Sequence, residues 1–125
     1  MKLWKCVATL VLATSLFGCG KINVDEMREK YGPLPYDFMQ QAKATVLPML
    51  KDPDSARFTF PVSPCVGRYL RGGGGWGVYF WVNSKNSFGG YTGNRDWSCL
   101  INDGRVRQCN ETVQGLVANM CGGGY

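Results

Sequence analysis

Four cysteines, Cys65, Cys99, Cys109 and Cys121, are spread through the second half of this 125-residue chain, and they constrain its fold more than any other feature. A metal site is a poor use for them. Their spacings are wide, no CxxC pair occurs, and the chain contains no His. In an exported chain, an even set of cysteines reads as two disulfides. Each bridge requires two Cα atoms within ~7 Å and contributes on the order of 2–4 kcal/mol. That is large beside a domain stability of ~5–15 kcal/mol.

The N-terminus supplies the export signal. The chain opens MKLWKCVATLVLATSLFGCGK: Lys2 and Lys5, an apolar run from Cys6 to Phe17, then Gly18 and Cys19. The apolar run is too short to serve as a stop-transfer helix across a bilayer core of roughly 30 Å. Leu16-Phe17-Gly18-Cys19 resembles a bacterial lipobox, with Phe17 a less usual occupant of its position. The resemblance implies cleavage before Cys19 and acyl chains, palmitate among them, on the new N-terminus. At ~0.8 kcal/mol per buried CH₂, several chains would hold the protein on a membrane. Gly20 follows Cys19, with no Asp at that position; in sorting of the enterobacterial type this implies the outer membrane, facing the periplasm.

The expected organisation is a signal peptide over 1–18, a lipid-anchored segment and connector over 19–35, and one domain over 36–125. Removal of Lys2 and Lys5 lowers the net charge of +5 by two. No dense Lys/Arg cluster or recognised motif points to nucleic acid.

A short polar helix is expected from Asn23 to Tyr31, capped by Asn23 with Glu26 three residues on and stopped by Gly32 and Pro33. It reads as lying between anchor and body. A main helix starts at Asp37, with Gln40 completing a second capping box. Its apolar face is Phe38, Met39, Ala42, Val46, Met49 and Leu50, and Pro48 predicts a kink or an end near Thr45. Asp52 and Pro53 suit a single turn. Phe58 and Phe60 alternate as a strand that Pro61 and Pro64 keep short or at an edge.

Strands are expected in VGRYL and, after a glycine loop over Gly72 to Gly75, from Val78 to Val82. Another begins at Tyr91, with Trp97, Cys99 and Ile101 sharing one face. Asp103-Gly104 is a hairpin turn, and Arg105 to Cys109 returns. Asn110 is placed to cap a last helix carrying Val113, Leu116, Val117 and Met120. The fold class is therefore α+β: a small antiparallel meander of about four strands, with helices packed on one face and disulfide staples.

This reading limits the cysteine pairing. A helix between Cys109 and Cys121 would hold them roughly 18 Å apart, which disfavours that bridge. Two pairings survive. With a two-residue turn at Asp103-Gly104, Cys99 falls opposite Gln108, so Cys99–Cys109 is awkward. The register favours Cys99–Cys121 with Cys65–Cys109.

Without His there is no Ser/His/Asp or Cys/His pair. GGGG lacks the Lys-Ser/Thr of a phosphate loop, and GGYTG is not a dinucleotide fingerprint. No spaced carboxylate pair suggests glycosidase work. The chain reads as a non-enzyme with no small-molecule cofactor and no metal.

LKDPDSARF (Leu50 to Phe58) and VNSKNSFGGYTG (Val82 to Gly93) resemble a group of small uncharacterised bacterial exported proteins and lipoproteins. These carry a KDPxSAxF segment followed by an NxKNSxGGYxG segment. The resemblance implies a domain type without implying a mechanism. The expected function is a binding or structural module of the envelope, of the assembly, exclusion or inhibitor/immunity kind, with an envelope protein as partner. Trp76, Lys85, Phe88, Tyr91 and Arg95 are its candidate contacts, since aromatic and Arg residues dominate interaction hot spots. The competing expectation is a glycan-binding domain or small hydrolase of the cell wall, with Trp76 or Tyr91 stacking on a sugar beside Arg95 or Asp96. Within the second motif, Asn and Gly are expected to fix a loop from which Lys85 and Phe88 face outward.

Overall fold

The computed structural model describes residues 23–61, 66–69 and 74–121. The expected signal peptide over 1–18, Cys19 and Cys65 lie outside them. The described chain forms α1 (Val24–Tyr31), α2 (Phe38–Val46), two 3₁₀ turns (Leu47–Met49 and Pro53–Ser55), and β1 (Arg57–Thr59). It continues with β2 (Val66–Tyr69), β3 (Gly75–Asn83), β4 (Arg95–Asn102), β5 (Arg105–Glu111) and α3 (Leu116–Cys121). This is a small α+β fold on a five-stranded antiparallel sheet.

β3 is the longest strand and the centre of the sheet. β4 lies along one side of it and β5 beyond β4. Its other side is shared: β1 pairs with Trp81–Asn83 and β2 with Gly75–Val78. Pro61 and Pro64 fall in the interval between β1 and β2. A residue without a backbone N–H cannot continue a ladder, so the edge is split into two short strands.

β3 is buried along almost its whole length, and that dictates cover on both faces. Trp76, Val78, Phe80 and Val82 point to one face and pack with Met27 of α1 and Phe38, Ala42 and Val46 of α2. Tyr79 and Trp81 point to the other and pack with Val117 of α3. The helices therefore do not share one face. The continuous apolar run in β3 is the reason, because a one-sided sheet would leave two large aromatic side chains in water.

α1 belongs to the packed body. Asn23 Oδ1 accepts the Glu26 amide at 3.1 Å, and Gly32 ends the helix at φ 81°. Met27 is fully buried, the Trp76 indole N–H donates to Gly32 O at 3.0 Å, and the Asp103 amide donates to Tyr31 O at 2.9 Å. A polar helix with one well-placed methionine thus closes the end of the sheet, where the sequence suggested a spacer. α2 starts at Phe38 without a side-chain cap from Asp37, whose carboxylate instead accepts the Gln41 amide group. It gives way to a 3₁₀ turn at Leu47, one residue before Pro48.

The β4–β5 hairpin turns at Asp103 and Gly104, both at positive φ (52° and 76°), as a two-residue turn matching the strand twist demands. Asn102 faces Arg105 and Ile101 faces Val106. The ladder then shifts by one, so that Leu100 faces Gln108 and Cys99 faces Cys109. Arg107 is the extra residue of this bulge. It overturns the expected pairing: Cys99 and Cys109, with Cα atoms 4.0 Å apart, form a disulfide. Cys121 is disulfide-bonded as well. Neither Cys99–Cys121 nor Cys65–Cys109 forms, because Cys99 and Cys109 are already joined to each other.

β5 continues to Glu111, so Asn110 is a strand residue and caps nothing. α3 is correspondingly short, and Val113 is exposed. Asp96 secures this C-terminal segment. Its backbone carbonyl accepts the Thr112 amide at 2.7 Å, and its carboxylate accepts the Val117 amide at 2.8 Å.

Candidate functional site

The two sequence motifs form one structural joint. Pro53–Ser55 is the 3₁₀ turn that Pro53 starts with its fixed φ. The Ser55 hydroxyl donates to Asp52 O and accepts the Lys85 amide, both at 2.8 Å. Ser55 O accepts the Tyr91 hydroxyl at 3.1 Å. Arg57, two residues on, faces Asn83 across the β1–β3 ladder and holds its guanidinium 4.3 Å from the Tyr91 ring centroid. Lys85 approaches the same ring at 5.6 Å. The short polar residues of the first motif therefore serve as the seat of the second.

The loop on that seat is closed by its own backbone and by two asparagines. Lys85 and Tyr91 form a bridge, and the Asn86 amide donates to Gly90 O at 2.8 Å. Asn86 to Gly89 is a β-turn, with the Gly89 amide on Asn86 O at 3.1 Å. Asn at the first position and Gly at the fourth are what such a turn favours. Asn86 Oδ1 accepts the amides of Phe88 (2.9 Å) and Gly90 (3.2 Å). Asn83 Oδ1 accepts the Gly93 amide at 3.1 Å, and Thr92 N–H returns to Ser84 O. Gly89 at φ 82° and Gly93 at φ 87° adopt the left-handed region that other residues resist. Tyr91 begins no strand; β4 starts at Arg95.

At the tip of this tied loop, Phe88 is 97% exposed. Lys85 is half-buried and lies along Tyr91, so of the two residues expected to face outward only Phe88 does so fully. Tyr91 shows 38% of its surface. Arg95 lies at the rim in an ion pair with Glu111 at 2.6 Å. Trp76 is a correction. It stands in β3, 3% exposed, with its indole N–H on Gly32 O. It is a core residue and presents no contact surface; the glycines before it made it read as part of a loop.

Beside the loop is an open cleft of about 300 Å³. Val82 and Trp97, on the sheet face covered by α2, line it along with Met49, Leu50 and Lys51. Ser84, Lys85, Asn86 and Thr92 contribute from the loop, and Arg95 and Glu111 from β4 and β5. Sequence reading missed Met49 and Lys51 here, because only the 3₁₀ turn after α2 carries them to the loop.

Lys85, Phe88, Tyr91 and Arg95 are thus brought to one end of the molecule. Asp96 is not. It is 1% exposed beneath α3, on the sheet face opposite Trp97, and Trp76 lies toward the far end of β3, opposite Ile101. An aromatic platform of Trp76 beside Arg95 and Asp96 does not assemble. Beneath α3, burial, with the Tyr69 phenolate adding a smaller repulsion, raises the Tyr79 hydroxyl above its ordinary pKa of 10.0. Comparison with known proteins finds no matching family model, no matching curated protein and no matching solved structure.

Proposed function

We propose that this chain is a lipid-anchored protein of the bacterial envelope whose domain is a non-catalytic binding module, engaging another envelope protein through loop 84–92. Acyl chains on Cys19 hold it at the outer membrane, with the domain in the periplasm. The observation that carries the reading is the setting of Phe88. Its ring is exposed at the tip of a loop that hydrogen bonds hold on every side. A ring in water adds nothing to folding, whereas burying it against a partner contributes ~1.5–3 kcal/mol. A loop already ordered also avoids most of the entropy cost that binding imposes on a mobile one.

The test places a photoreactive amino acid at position 88 of the full-length protein in intact cells. A single envelope protein is expected in the crosslinked product. The same group at the equally exposed Tyr36, in the turn before α2, is expected to capture none. Equal, diffuse products from both positions would contradict the proposal. Labelled palmitate, taken up by the natural protein and lost in Cys19→Ala, checks the anchor.

A further inference from the structure

The cleft beside the loop carries more positive charge than its one ion pair balances. Lys51, Lys85 and Arg95 border it against one carboxylate, Glu111, and Arg95 already holds that carboxylate. Lys51 and Lys85 have no ion-pair partner among the described residues. The three cations come from separate places: the segment after α2, the loop and the start of β4. Between them lies apolar surface, with Trp97 and Val82 buried in the core behind it.

We propose that this cleft takes the carboxylate side chain of an acidic peptide segment on the partner, with a neighbouring apolar residue of that segment against Phe88. The inference rests on the partner-binding reading above and names the chemistry of its contact. A glutamate suits the cleft at both ends. Its methylenes lie on Trp97 and Leu50, and its carboxylate meets Lys51 and Lys85. A charge-assisted hydrogen bond is about twice as strong as a neutral one. A volume of about 300 Å³ holds one or two side chains. Phe88, two residues from Asn86 of the cleft wall, is within reach of the next. A flat lipid surface meets the cations but not the apolar floor recessed behind the loop, which favours a peptide.

The probe is an array of short peptides pairing Glu, Asp, Gln or Asn with Leu, Phe or Trp, applied to the purified full-length protein in detergent. Acidic peptides are expected to bind at least tenfold more tightly than their amide counterparts. That preference is expected to vanish in Lys51→Gln/Lys85→Gln. Lys51 is exposed, so Lys51→Gln alone carries the test if the double variant unfolds. Binding that ignores the carboxylate, that survives the substitutions, or that appears only on phosphatidylglycerol vesicles overturns the inference, as does failure of every peptide. If the position-88 crosslink persists in Lys51→Gln/Lys85→Gln, the acidic contact is wrong and the partner-binding reading stands. If the crosslink is absent from the natural protein too, that reading falls with it.

Discussion

The amide of Lys85 donates to the hydroxyl of Ser55 at 2.8 Å and so joins two segments 30 residues apart. Ser55 also accepts the Tyr91 hydroxyl through its carbonyl, so one small residue holds both ends of the exposed loop. Ser55→Ala removes the acceptor for Lys85 and is expected to cost about 1 kcal/mol. Hydrogen exchange at the Lys85 and Asn86 amides is expected to accelerate, while amides in β3 and β4 keep their protection. Uniform acceleration across the sheet would show that the joint is not local.

The Cys99–Cys109 bridge closes a short loop, with a sequence separation of 10. By chain entropy such a bridge contributes about 2.5 kcal/mol. Cys99→Ala/Cys109→Ala is expected to fold and to lose about that much in equilibrium unfolding. Trypsin cuts after Arg105 and Arg107, and a Glu-specific protease after Glu111, so a double digest separates Cys99, Cys109 and Cys121 and non-reducing peptide mapping reads the pairing directly. A peptide linking Cys99 to Cys121 would contradict the bulged register.

Asp96 ties α3 to the sheet through the Val117 amide. Asp96→Ala leaves that buried amide without an acceptor and is expected to cost about 2 kcal/mol. Asp96→Asn keeps an acceptor oxygen and is expected to cost less. Thermal unfolding of the two variants checks the order. Equal losses would show that the negative charge, rather than the acceptor, is what Val117 needs.

The sheet was legible where local chemistry decides the outcome. Asp103-Gly104 announced its turn, Pro48 the end of α2 and Gly32 the end of α1. The loop around Asn86 was legible in the same way, because its asparagines and glycines bond within a few residues of themselves. What escaped depended on distant partners. The bulge at Arg107 has no signature of its own, yet it moves Cys109 opposite Cys99. The second apolar face of β3, Tyr79 and Trp81, draws α3 to the opposite side from α1 and α2. Met27 entered the core from a helix too polar to announce it. Trp76 read as exposed because glycines precede it, but Gly75 belongs to β3 and sits close to its neighbour strand: a Cβ there would meet Ile101 O at 2.5 Å.

The central claim is that loop 84–92 is built to present Phe88 and does not need that ring for folding. The direct measurement compares the natural protein with Phe88→Ala, by equilibrium unfolding and by the yield of the envelope partner co-purified after crosslinking. The account predicts stability unchanged within about 0.5 kcal/mol, as for other exposed sites, and loss of the partner. A partner yield equal to that of the natural protein, or a stability loss of several kcal/mol, would contradict it.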